Sequence, residues 1–260
     1  MLTLINPARE RLESGNISIG IGIRLVRTNE IAPLMKTAGM DWLFIDLEHG
    51  PLTLDQTAQI SVTSLASGIA PIVRVPRGEM AMATRALDGG ALGIVNPMCE
   101  SASEARDIVT KLHYPPEGQR SVVGGLPQYN FRSPSIADSI EKMNKAMLVI
   151  VMLETPHAIA HSDEIAAVEG IDIIMIGTND LAASSGIPGQ VGHERISEYY
   201  KIVAKACKKH GKWMGMGGVP QPEIQEKYIN MGARFLLAGQ DLTYLLGAAR
   251  TTVDRVNTYL

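Results

Sequence analysis

Residues 39–46 read GMDWLFID, and the same design returns at 90–97 (GALGIVNP), 170–177 (GIDIIMIG) and 232–239 (GARFLLAG). Each time a helical segment stops at a glycine and a short apolar run follows at once. Glycine at the position after a helix takes the left-handed conformation that ends it. The runs that follow are too continuously apolar for strands with one wet face, so they read as strands covered on both sides. Covered strands alternating with helices are parallel βα units.

Working outward from these four, eight such runs can be counted: Ser18–Leu25, Asp41–His49, Ala70–Val75, Gly93–Met98, Met147–Glu154, Asp172–Gly177, Lys212–Gly218 and Phe235–Asp241. Helices fit between them, among them Glu30–Ala38, Leu54–Ala66, Ser103–Leu112, Glu194–His210 and Pro222–Met231. Pro7–Leu12 is placed to close the bottom of a barrel, and Leu242–Leu260 is the eighth helix. Eight strands of this kind favour a closed (β/α)₈ TIM barrel over an open doubly wound sheet, although sequence does not display sheet edges. The one long connection, Tyr114–Lys145, holds a short helix at Ile136–Asn144 and reads as a lid or an interface element.

Bulk properties agree. The 260 residues suit one barrel, so 1–260 is read as a single domain, and 45% hydrophobic against 20% charged residues leaves ample core. A formal net charge of −3, with no basic stripe, argues against a nucleic-acid partner. No apolar run approaches the roughly 20 residues that span a bilayer, so no membrane partner is expected. The N-terminus lacks a signal peptide's apolar core, and Cys99 and Cys207 have no metal-ligand spacing. Together these predict a cytoplasmic protein.

In such a barrel, polar residues at the C-terminal ends of strands carry the chemistry. Four ends stand out: Asp46-Leu47-Glu48-His49, Arg74 after Pro71-Ile72-Val73, Glu154 after Met152-Leu153, and Gly177-Thr178-Asn179-Asp180. Glu154 and Asp180 come from consecutive strands and repel unless a cation lies between them, which suits a hard divalent metal. The blander reading makes Asp180 the cap of a helix starting at Leu181. His49 is a natural general base if the chain turns after Glu48; otherwise it is a loop histidine. Arg74 ends a buried strand and needs an anion, from substrate or from a neighbouring carboxylate, and both readings stay open. The Gly177-Thr178-Asn179 turn exposes amides that can hold a carboxylate, a weak signal by itself. On local grounds Asp88 is only a helix C-terminal acid.

With these residues in view, the chain resembles the HpcH/HpaI aldolase family of metal-dependent class II pyruvate aldolases. The likeness runs from about Arg11 to about Ala249 and rests on GMDWLFIDLEHGP, PIVRVP, RALDGGALGIVNPM, YPPEGQRSVVGG, LETPHA and VEGIDIIMIGTNDL in the family's order. The resemblance implies a (β/α)₈ barrel that assembles as a homo-oligomer, often a hexamer, with the last helix exchanged between neighbours. It implies Mg²⁺, Mn²⁺ or Co²⁺ on Glu154 and Asp180, His49 as base, and Arg74 as transition-state stabiliser. It also implies that Asp88 raises the base's basicity, and that Asn179 lies where backbone meets substrate. The expected activity is reversible cleavage of a 4-hydroxy-2-oxo acid to pyruvate, or a related 2-oxo acid, plus an aldehyde. Two alternatives stand beside it. A lyase of the citramalyl- or malyl-CoA type would need a basic nucleotide site, and no marked cluster is seen. A barrel kept only for binding would show no metal-dependent turnover.

Two departures concern substrate choice. The helix-opening turn, often Gly-Pro-x-Asp in the family, is Gly177-Thr178-Asn179-Asp180 here, and Met152 stands where many members have a substrate-binding Gln. Period-two alternation puts Met152 on the face of Glu154, and a thioether offers no donor. Met152→Gln should therefore reorder kcat/KM across oxo-acid and aldehyde pairs while metal affinity stays nearly constant. An unchanged ranking with a uniform loss of stability would make Met152 a gap filler only.

Overall fold

The computed structural model describes residues 4–259. Eight parallel strands, β1 (Ser18–Ile23), β2 (Trp42–Asp46), β3 (Ala70–Arg74), β4 (Gly93–Asn96), β5 (Leu148–Leu153), β6 (Ile173–Gly177), β7 (Trp213–Gly217) and β8 (Ala233–Gln240), pair in sequence order and close, β8 against β1. The closed-barrel expectation is borne out. The helices are α1 (Pro7–Glu13), α2 (Ile31–Thr37), α3 (Leu54–Ser67), α4 (Met80–Asp88), α5 (Ala102–Leu112), α6 (Ile136–Ala146), α7 (Pro156–Ala160), α8 (Ser162–Ala166), α9 (Thr178–Ser184), α10 (Glu194–His210), α11 (Pro222–Asn230) and α12 (Asp241–Asn257). The predicted last helix extended to Leu260, which lies outside the described residues. Gly39, Gly90, Gly170 and Gly232 all have positive φ, between 85° and 118°, as helix-ending glycines require.

Alternation along the strands builds two cores. Trp42, Phe44, Ile72, Ile150, Met152, Ile173, Met175 and Phe235 fill the barrel's interior, while Leu43, Ile45, Val73, Val149, Val151, Ile174 and Ile176 face the surrounding helices. Trp42 stacks on Phe235 with ring centroids 3.9 Å apart, in space that exists because residue 20 is glycine; a Cβ there would overlap the Trp42 ring. The filled interior leaves room for a site only above it.

The bottom is closed as expected. Asn6 caps α1 and donates to Leu92 O and Ala146 O, and Ala8 and Leu12 join the interior core. The strand ends need correcting, and one of the two readings falls for Asp180 and for the 114–145 connection. The apolar runs overstate the strands: Leu25, His49, Val75, Met98, Glu154, Gly218 and Asp241 all lie beyond the last ladder residue, in rim loops or at a helix start. Asp180 is not a helix cap, because α9 begins at Thr178 and places it in the first turn. The 114–145 connection links α5 to β5 at the N-terminal end of the barrel, so it cannot be a lid on this chain's own pocket. It packs there through Tyr114, Leu126, Tyr129 and Met143, with Gln128 donating to Leu87 O and Ala91 O. Val122, Val123 and Phe131 remain exposed on it.

α12 is unlike the other long helices. Among its described residues only Asp241 is buried, whereas Leu242, Tyr244, Leu245, Leu246, Val253 and Val256 are exposed.

Candidate active site

Inward-facing positions at the tops of neighbouring strands converge on one cavity. Asp46 ends β2, Arg74 ends β3, Met152 lies near the end of β5 and Gly177 ends β6. These line the cavity together with His49, Thr178, Asn179, Asp180, Arg24, Phe44 and Gln240.

The β2–β3 side is an ion-pair cluster. Arg74 donates from Nε to Asp46 Oδ1 at 2.9 Å and from Nη2 to Oδ2 at 2.6 Å, while its Nη1 lies 3.2 Å from Glu48 Oε2. The guanidinium also sits 5.0 Å from the Phe44 ring centroid. Arg74 is thus paired with neighbouring carboxylates, as one reading had it, and is also part of the pocket wall. Burial pushes the Asp46 carboxyl up, but the hydrogen bonds and charge of Arg74 outweigh this and hold it below its ordinary value. Asp46 Oδ1 also accepts the N–H groups of Glu48 and His49 at 3.1 and 3.2 Å. That carboxylate cap turns the chain after β2 and brings His49 to the pocket, the condition on which its reading as a base depended. The His49 ring is half exposed, with Nε2 3.7 Å from Glu48 Oε2.

The β5–β6 side is acidic. Glu154 is buried, and Met98 N–H donates to its Oε2 at 2.7 Å; among the described residues no donor reaches Oε1. It lies against Gly177, where a Cβ would come within 2.5 Å of Oε1. Gly177 therefore has to lack a side chain for Glu154 to occupy this place. Asp180 is exposed on α9 and close enough for its charge to act on Glu154. Burial, above all, pushes the Glu154 carboxyl from its ordinary 4.5 to about 7; the Met98 N–H opposes the rise and Asp180 adds to it. The expected neighbourhood of the two carboxylates is present.

The remaining residues divide. Met152 is buried and reaches the cavity, so its inward orientation holds. The Thr178 hydroxyl is 2.8 Å from Tyr200 Oη inside the wall, so this residue meets the cavity through its backbone. Asn179 is exposed at the mouth. Asp88 is not brought to the pocket. It closes α4 at the opposite end of the barrel and accepts from Arg120 Nη2 at 2.6 Å. Sequence reasoning passed over Arg24, which follows β1 and lines the cavity, and gave no role to the Asp46 that organises the rim. Asp46 and Glu48 were visible as strand-end acids; Arg24 sat in a run that was read only for its apolar content.

The family profile for HpcH/HpaI aldolase/citrate lyase matches residues 26–248. The chain belongs to this family. It is 38% identical over 253 residues to a 4-hydroxy-4-methyl-2-oxoglutarate aldolase of Hapsidospora irregularis, covering 95% of this chain and 94% of that one. It is 32% identical over 250 residues to a hydroxypyruvate/pyruvate aldolase of Delftia acidovorans, covering 96% and 92%. The crystal structure of an HpcH/HpaI aldolase from Desulfitobacterium hafniense superposes with a TM-score of 0.91 at 27% identity, over 98% of this chain and 97% of that one. The expectation of an HpcH/HpaI-type carbon–carbon lyase is borne out at that level.

The Glu154 environment sets a pH dependence for the metal-free protein. A carboxyl raised in the folded state gives stability that is fully present below about pH 4.5 and is lost as pH rises through about 7. The penalty for ionised Glu154 is of the order of 3 kcal/mol. Chemical denaturation in chelator should therefore find Glu154→Gln more stable than the parent at pH 8, with the difference closing toward pH 4.5. Parallel stability curves would show that burial does not perturb Glu154.

Proposed function

We propose that this family member is a metal-dependent, cytoplasmic class II aldolase, reversibly cleaving a 4-hydroxy-2-oxo acid into pyruvate, or a related 2-oxo acid, and an aldehyde. The observation that carries this reading is that Glu154 and Asp180 come from adjacent strand ends, near enough for the Asp180 charge to act on Glu154, beside a cavity that Asp180, His49 and Arg74 line. The named relatives act on 2-oxo acids of this kind, which supports it.

The residues fit a hard divalent cation. Glu154 keeps Oε1 without a donor among the described residues, and Asp180 adds a second oxygen ligand. The two carboxylates would supply only part of such an ion's shell, and water and substrate oxygens would supply the rest. Mg²⁺, Mn²⁺ or Co²⁺ held there would supply a Lewis acid to the 2-oxo acid. The amides of Gly177, Thr178 and Asn179 line the same side and help seat that carboxylate. His49 takes the proton from the hydroxyl on carbon four. The bond between carbons three and four then breaks, its electron pair stays with the 2-oxo half as an enolate, the aldehyde leaves, and a proton equivalent to the one removed returns to carbon three to give pyruvate. Arg74, already oriented by Asp46, stabilises charge on the reacting oxygens. Among the described residues no lysine lines the cavity, and no Schiff base is invoked.

Glu154→Ala and Asp180→Ala should each lower kcat/KM by roughly 10²–10³-fold or more while the fold persists. Exhaustive chelation should abolish turnover of the parent protein, reversibly on readdition of metal. Full activity in chelator would dismiss the metal.

Assembly completes the reading. The exposed apolar side chains of α12 support its exchange with a second copy in a homo-oligomer, hexameric by resemblance. Asp88, at the far end of the barrel from its own His49, can support a His49 only from a neighbouring copy. His49→Ala and Asp88→Asn chains should each be impaired alone, and hybrid oligomers formed from both should recover activity that neither has. Hybrids no better than the mixture of parents would remove Asp88 from the site.

A further inference from the structure

The cavity has two guanidinium groups, and they are held differently. Arg74 is buried and faces carboxylates with all three of its nitrogens. Arg24 is 40% exposed, with Nε at 3.7 Å from Asp46 Oδ2, an oxygen already taken by Arg74 at 2.6 Å. Its Nη2 donates to the His49 carbonyl at 3.0 Å, and among the described residues Nη1 has no partner. Arg24 is therefore a cation presented to the cavity beside the general base, with donors to spare.

Its position is built. The backbone N–H groups of Arg24, Leu25 and Val26 all donate to Asp241 Oδ2, at 3.1, 2.8 and 2.8 Å, and Asp241 is buried. Three successive amides on one buried carboxylate fix the loop from which Arg24 projects. In a closed barrel of eight strands, β1 stands across from β5. A substrate whose 2-oxo end lies at Glu154 and Asp180, and whose fourth carbon lies at His49, must direct its far end toward β1. Beside Arg24 the lining is Gln240 and Leu237 of the adjoining β8, and among the described residues the acids near it, Asp46 and Glu48, are both engaged by Arg74.

We propose that Arg24 is the specificity residue for the distal end of the substrate, that the end it selects is a carboxylate, and that Asp241 is its positioning residue. The inference rests on the aldolase reading above and narrows it: the preferred substrate is a 4-hydroxy-2-oxo dicarboxylate, and the carbonyl fragment released is itself an oxo acid. A guanidinium with a free edge meets a carboxylate through paired N–H donors, which a neutral group of the same size does not reproduce.

The test compares 4-hydroxy-2-oxoglutarate with 4-hydroxy-2-oxopentanoate, which differ at the far end by carboxylate against methyl. The metal-loaded parent protein should favour the dicarboxylate in kcat/KM. Arg24→Gln should reduce that preference roughly 10- to 100-fold, the range for a lost hydrogen bond to a charged group, and Arg24→Lys should keep part of it. Equal losses on both substrates would make Arg24 a structural residue and overturn the proposal, as would a parent that prefers the methyl compound. Solvent deuterium exchange at the methyl group of pyruvate separates the levels of failure. A parent that exchanges but does not favour the dicarboxylate overturns the assignment of Arg24 alone. A parent that neither exchanges nor cleaves overturns the aldolase reading, and this assignment with it.

Discussion

One carboxylate takes four hydrogen bonds at the top of the barrel: two from the Arg74 guanidinium and one each from the amides of Glu48 and His49, all to Asp46. A buried charge left without partners would be costly, and removing either member of such a pair would strand the other. The same bonds that satisfy Asp46 set the rotamer of Arg74, the turn that ends β2, and the place of His49. Imidazole and guanidinium are thus held in one arrangement by a single carboxylate. Placing the pair on β2 and β3, neighbours in the ladder with Asp46 opposite Arg74, is what makes the two-point contact geometrically available.

The other side of the cavity works by the opposite means. Glu154 is buried beside Asp180 with a single N–H donor, and its carboxyl is pushed up to about 7. Glycine at 177 is part of this arrangement, because any Cβ would collide with the carboxylate. One side is electrostatically satisfied and rigid; the other is under-satisfied and suited to gain from a cation. A polar substrate placed between them meets fixed charges on one flank and exchangeable ones on the other, which is the condition for preorganised catalysis.

How much of this was legible in the sequence follows from the range of each interaction. Helix-stopping glycines and continuous apolar runs are local, so the eight strands and the closed barrel could be read directly. Strand ends could not, because an apolar residue such as Leu25 continues the pattern after the ladder has stopped. Asp180 was legible as an acid at a strand end, while its alternative as a cap failed because Gly177 ends β6 and α9 starts one residue later. Asp88 stands within a family motif, yet topology puts it below the barrel wall, and motif order carries no information about which end of a helix faces the site. Arg24 was hidden for a further reason: its loop is held by a carboxylate more than 200 positions away, and nothing near residue 24 announces it.

That long-range contact also ties the site to the periphery. Asp241 is the first residue of α12 and is its only buried one among those described. One of its oxygens holds the amides of residues 24–26, and the other accepts the N–H of Leu242 at 2.8 Å. The point where the final helix leaves the barrel is therefore fixed to the loop that presents Arg24. Any force on α12 from a docking partner acts through Asp241 on the rim, whereas the interior beneath is a filled core that resists deformation. The part of the site that holds Arg24 is thus joined to an exposed helix. The part that holds Asp46, Arg74 and Glu154 is tied to the barrel through the ladder of β2 and β3 and the pairing of β5 with β6.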